Sequence, residues 1–354
     1  MKKVTSILIK TTVWIFAIAA VLVTVAVASW ANLKKPVDSV QNERIVKVQV
    51  PEGTPVKLIV QKLKKERLIR NENAFYFAVR FNLFNKKVPF TLKSGTYNLK
   101  SSMSMEQIYD ELQSGSQEYI SVSIAEGLTI SKTAKIFEEN GVCSAQDFIN
   151  ACKSEKLIAE YEIPAATLEG YLFPDTYFFT PDMDAEAVVR KLADTFFEKI
   201  KEIPQLNEKS PEEIFDIVRL ASVVEREYRV KEEAPLIASV FSNRLKHGIG
   251  LYSCATIEYI ITEIQGKPHP EKITYKDLET DSPYNTYRWA GLPEGPISNP
   301  GIVALKAAAN PPKTNYYYFV LTDTQKGTHT FSSNFDQHKA ADSAASYKSK
   351  KSKK

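Results

Sequence analysis

The residues with the clearest capacity for chemistry lie in SPEEIFDIVRLASVVEREY, residues 210–228. Ser210 is placed to cap a helix, Pro211 suits the first helical position, and Glu213 three residues on completes a capping box. With about 100° per residue, Glu225 falls on the stripe of Ile214, Val218 and Ala221, while Glu227 lies about half a turn away beside Asp216 and Val223. A carboxyl on an apolar stripe resists ionisation, so its pKa is expected to rise, as a general acid working near neutrality requires. The alternative for Glu225 is a structural ion pair with an Arg or Lys. Glu227, on the other face, is expected to serve structure.

Polar side chains that could hold a substrate follow downstream. Thr256 comes first, then SPYNTYRWAGLPEGPISNPG, residues 282–301, with Tyr284, Asn285, Thr286, Tyr287 and Asn299 among many prolines and glycines. Such a stiffened loop loses little entropy on binding. Upstream, TLEGYLFPDTYFF at 167–179 is dense in aromatics that would suit sugar rings, Tyr171 among them, although that density alone fits a core better. The four histidines, His247, His269, His329 and His338, form no H-E-x-x-H and no helical pair, which argues against a metal enzyme. Of the three cysteines, Cys143 and Cys152 are near enough in sequence to pair, leaving Cys254 alone; three free thiols are the alternative.

The elements that must carry these residues begin with a segment that is not globular. From Thr11 to Leu33 there is no formal charge, and the run is long enough for the roughly 20 residues that span a bilayer. The expected plan is a cytoplasmic tail at 1–10, a single-pass anchor at 11–33 in the cell (inner) membrane, and the remainder outside the cytoplasm. A cleaved signal peptide ending near Ala26-Val27-Ala28 is the alternative, but the apolar run exceeds the roughly 7–15 residues of a signal core. A net charge of +4 on 354 residues is too small to imply nucleic acid, and 44% hydrophobic residues exclude a disordered chain.

Past the anchor the sequence predicts an α+β protein. A strand at Ile45 to Val50 leads to a helix from about Pro55 to Glu66 and a second from Asn71 to Phe81. A further strand starts at Gly95, and Ser104 with Gln107 forms a capping box for a helix through Leu112. Residues 44–118 thus make a small α/β domain and 119–340 a larger mixed α+β body, ending in a strand at Asn315 to Thr322, a turn near Gly327 and HTFS. The segment 341–354 reads as a disordered basic tail. A faint repeat offset by 74 residues aligns Glu52/Glu126, Gly53/Gly127, Val56/Ile130, Val60/Ala134 and Leu63/Phe137, as two related strand-helix-helix units.

LEGYLFPDTY, LASVVEREY, the S-V-F-S-N-R-L run at Ser239 to Leu245, SPYNTYRWAGLPEGPISNPG, LKAAANPP and GTHTFSSN together resemble, in order, the motifs of the YceG-like endolytic murein transglycosylases. The resemblance covers about residues 45–340 and the anchor. It implies that Glu225, first Glu of V-E-x-E, is the catalytic acid, that the small domain is a LysM-like glycan-binding module, and that no metal or organic cofactor takes part. The implied partners are peptidoglycan strands, the membrane and peptidoglycan synthases of the penicillin-binding class. One departure stands out: where the family often has L-Q-x-D-P-T, this chain has Leu251 to Thr256 with Tyr252, Cys254 and Ala255, so a second carboxylate is not expected at that position. The rival expectations are a non-catalytic wall-binding scaffold and a muramidase-type hydrolase.

Overall fold

The computed structural model describes residues 2–51, 53–84, 89–114 and 119–352, with side chains from 14 to 345. The chain divides into two contact units, Met1–Tyr119 and Ile120–Lys354. The first opens with the helix Lys2–Leu33. Its stretch Trp14–Leu33 is 20 residues long and apolar, and none of its residues is buried, as fits a single-pass membrane anchor. Helix begins already at Lys2, so the residues expected as a tail at 1–10 are continuous with it.

The small domain pairs Ile45–Val50 antiparallel with Gly95–Lys100, and carries the helices Val56–Lys65, Glu72–Arg80 and Met105–Ser114. Strand alternation turns Val48 and Val50 inward onto Ile59, Leu63, Phe75, Tyr97 and Tyr109. The capping box forms as the sequence predicts: Ser104 N donates to Gln107 Oε1 at 2.8 Å, and Gln107 N to Ser104 Oγ at 3.2 Å.

In the second unit Ile120–Ser123 pairs with Thr176–Phe179, and a helix Ile130–Glu139 and a shorter Ala145–Ala151 follow the first of these strands. This arrangement repeats the small domain in detail. The pair Val48/Tyr97 has its counterpart in Val122/Tyr177, and both tyrosine hydroxyls donate at 2.6 Å to a carbonyl four residues back, Lys93 O and Phe173 O. Both first helices end in the same pair of bonds, Arg67 N to Lys64 O with Leu68 N to Leu63 O, and Gly141 N to Glu138 O with Val142 N to Phe137 O. Gly53 and Gly127 share a left-handed backbone, φ +73° and +77°. Glu52 lies outside the described residues, so its match to Glu126 is one of sequence.

The rest of the second unit is a helical core around Ala185–Ile200, Pro211–Glu225, Ala234–Lys246 and Ile302–Ala309. The hairpin Tyr318–Asp323 with Thr328–Ser332 packs at its side. That strand starts three residues later than the sequence predicts. The carbonyls of Thr314 and Tyr316 accept instead from Asn243 Nδ2, at 3.1 and 2.9 Å, and Tyr317 O accepts from Arg244 Nε at 2.7 Å. The expected disordered tail is also corrected, because the helix Phe335–Ser352 runs through most of it, its alanines favouring helix. All three cysteines are free: Cys152 is buried in the core, Cys143 half-buried and Cys254 exposed.

The helix Pro211–Glu225 begins with the predicted box, Ser210 Oγ accepting from Glu213 N at 3.3 Å and Glu213 Oε2 from Ser210 N at 3.0 Å. Replacing Ser210 by Ala removes one half of it. The expected loss is about 1 kcal/mol, a fall in Tm of about 2–4 °C for a domain of this size, read by thermal unfolding.

Candidate active site

Glu225 is the last residue of its helix and half-buried. Its Oε1 accepts from the Tyr228 hydroxyl and its Oε2 from Gly301 N, both at 2.9 Å. Burial pushes its pKa upward, and the Glu126 carboxylate nearby pushes the same way; the two donors pull it down by less. The negative end of the helix dipole adds to the upward push. Among the described residues no ion pair neutralises it.

Gly301 reaches Glu225 because the loop before it is stitched to the same helix. Ser222, one turn earlier, accepts from Ile297 N through Oγ at 3.0 Å, and its carbonyl accepts from Ser298 Oγ at 3.1 Å. Asn299 ties this loop to the turn at 126–129: Gly127 N donates to Asn299 O at 2.9 Å and Asn299 N to Leu128 O at 2.8 Å. Its side chain is buried and fully used. Oδ1 accepts from Gly170 N and Leu172 N at 2.8 and 3.0 Å, and Nδ2 donates to Leu128 O and Glu169 Oε1 at 3.0 and 2.9 Å. Gly170, at φ +91°, admits no Cβ, which would stand 2.6 Å from Pro296 and 2.7 Å from Val218 of the Glu225 helix.

Two further carboxyls are desolvated. Glu169 also accepts from Ile130 N at 3.1 Å, and burial raises its pKa to about 8. Glu227 accepts from Ser253 Oγ, and burial, with the Glu258 charge, raises its pKa to about 7. Among the described residues no three His, Cys, Asp or Glu side chains gather as a metal site.

The expected substrate-binding residues divide sharply. Tyr171 is corrected to a core residue: it is 1% exposed and packs on Phe196 and Phe197 with ring centroids 5.0 and 6.0 Å away. Thr256, Asn285, Thr286 and Asn299 are buried too, and their polar atoms are hydrogen-bonded within the protein, mostly to backbone. Asn285 Nδ2 donates to Leu278 O and Thr280 O while Oδ1 accepts from Tyr287 N and Arg288 N. Thr286 Oγ1 accepts from Ser253 N at 3.2 Å and lies 3.0 Å from Thr256 Oγ1. A loop so poor in regular structure must satisfy its buried backbone with side chains, which leaves these four no group to offer a ligand. Tyr284 and Tyr287 remain half-buried. Tyr287 lies 5.6 Å, ring to ring, from Tyr252, whose own face is 49% exposed, and its hydroxyl is 3.1 Å from Cys254 Sγ.

Sequence reasoning missed Glu126, Tyr228 and Gly301 as neighbours of Glu225, and Glu169 as partner of Asn299. Glu126 and Gly127 carried a signal in the repeat, and Glu169 in LEGY, yet nothing in spacing brings residues so far apart together.

A family model described as the YceG-like family matches residues 48–344. An endolytic murein transglycosylase of Bacillus subtilis is 32% identical over 88% of this chain and 87% of its own length. One of Streptococcus pneumoniae is 28% identical over 86% of this chain, which spans 58% of that longer protein. A 2.6 Å crystal structure of a yceG-like protein from Listeria monocytogenes is 29% identical and superposes with a TM-score of 0.55, covering 84% of this chain and 99% of that one. With a family match that runs through the anchoring loops, the Glu225 helix and the hairpin alike, the chain belongs to the YceG-like family.

Proposed function

We propose that this chain is a membrane-anchored endolytic murein transglycosylase, cutting the β-1,4 bond between N-acetylmuramic acid and N-acetylglucosamine within peptidoglycan strands and so ending their elongation. The observation that carries the reading is Glu225: a desolvated carboxyl at a helix end, held by Tyr228 and Gly301, with its pKa raised. Protonated, it gives its proton to the leaving glycosidic oxygen as the C1–O bond breaks. The resulting carboxylate takes the proton of the muramyl 6-hydroxyl, whose oxygen closes on C1 to form the 1,6-anhydro ring. Water has no part, so one residue serves as acid and then as base.

The exposed Tyr252 ring and the half-buried Tyr284 and Tyr287 are the aromatic faces on which sugar rings would stack. The small domain, with its strand-helix-helix plan, is read as the LysM-like glycan-holding module. The helix Trp14–Leu33 is read as an inner-membrane anchor with the second unit on the extracytoplasmic side, where newly polymerised strands and their synthases are found.

Two outcomes test this. Mass spectrometry of muropeptides after incubating the full chain in detergent with purified peptidoglycan should show internal 1,6-anhydro ends, and Glu225→Gln should lower their rate by about 10²–10⁴-fold. Reducing ends would make the protein a hydrolase, and no products would leave the scaffold reading. The second is a pH profile. Because Glu225 must start protonated, kcat/KM should fall as pH rises through its raised pKa. Tyr228→Phe removes a donor that favours the carboxylate, so the alkaline limb should move to higher pH.

A further inference from the structure

Glu126 is an acidic side chain that meets the loop holding Glu225, at Gly301. It lies at the start of the turn after Ile120–Ser123, in an exposed position. A Cβ at Gly301 would collide with its carboxylate, and a Cβ at the adjoining Gly127 would stand 3.5 Å from Glu225 Cγ. Glu126 therefore lies over the glycine whose N–H holds Glu225. Its charge reaches both Glu225 and the Tyr228 hydroxyl. Among the described residues no hydrogen bond or ion pair occupies its carboxylate.

The other groups facing Glu225 are accounted for. The Tyr228 hydroxyl and Gly301 N–H are its donors, and Lys231 acts on it at a distance. The neighbouring Arg226 is turned to Glu258, at 2.9 Å. Exposed and beside the catalytic acid, the Glu126 carboxyl is open to face a positive charge that forms there. The proposed reaction makes such a charge, on C1 and the ring oxygen of the muramyl residue as the glycosidic bond breaks.

We propose that Glu126 is a second catalytic carboxylate, which stands against the positive charge that develops at the muramyl C1. The role rests on the transglycosylase reading. It adds no bond-making step: Glu126 neither gives nor takes a proton. A fixed charge aimed at a transition state acts on kcat more than on substrate binding.

The test compares the full chain in detergent with Glu126→Gln and Glu126→Asp on purified peptidoglycan, following anhydro ends by mass spectrometry across pH. Glu126→Gln should lower kcat roughly 10- to 100-fold with KM within about twofold. Removing the like charge should also move the alkaline limb of kcat/KM to lower pH, opposite in sign to Tyr228→Phe. Glu126→Asp, with its charge drawn back by one methylene, should fall between. Anhydro ends made at an unaltered rate and with an unaltered pH profile would overturn the proposal, as would a rise in KM alone or a loss matched by a lower melting temperature. If the unaltered protein makes no anhydro ends, the transglycosylase reading fails and this role fails with it; if it makes them and Glu126→Gln equals it, only this role fails.

Discussion

The buried amide of Asn299 is the contact on which the site geometry depends. It spends both hydrogens and its oxygen on four partners drawn from the 126–129 turn and the 167–172 segment, while its own backbone pairs with that turn. Two residues further on, Gly301 N–H meets Glu225. Three stretches that are remote in sequence are thus held in one register by a side chain with no freedom left. An unsatisfied amide in such surroundings would cost about 1–3 kcal/mol per group, so partial detachment of the loop is strongly opposed. Rigidity of this kind is what a proton donor needs if its carboxyl is to meet a glycosidic oxygen in one orientation.

Around that frame the electrostatics oppose each other in a useful way. Desolvation, the helix C-terminus and the Glu126 charge all favour a protonated Glu225, whereas Tyr228 and Gly301 favour the carboxylate. A donor set alone would hold the acid ionised and useless for the first half of the reaction. Burial alone would make the carboxylate too costly to form in the second. With both present neither state of the carboxyl is favoured by every neighbour, the requirement placed on a single group that works as acid and then as base.

How much of this was legible in sequence follows from the range of each signal. The Glu225 helix, its capping box and its apolar stripe are set by neighbours within four residues, and they stand as the sequence predicts. The small domain's strands and helices are legible for the same reason. In the loop at 282–301, Asn285, Thr286 and Asn299 have the side chains of ligand contacts, yet a buried irregular backbone claims those same groups first. Tyr171 shows the converse, an aromatic that the motif places in a plausible subsite and that packing takes into the core. The basic tail was read from charge, while its alanines make helix. Glu126 could not be assigned from spacing, because only the folded turn brings it to Gly301.

The internal repeat explains why that turn is there to be used. In both copies a left-handed glycine, Gly53 or Gly127, follows the strand, and the helix after it closes with the same bonds. The same backbone conformation therefore recurs in both units. What differs in the second copy is the partner. There Gly127 N–H and Leu128 O find Asn299, so a turn that any such unit would form becomes the wall of a site. A duplicated scaffold of this sort lets the position of Glu126 rest on local geometry that is already stable. The long-range contacts then need only dock a preformed element, which loses less entropy than ordering a loop around the acid.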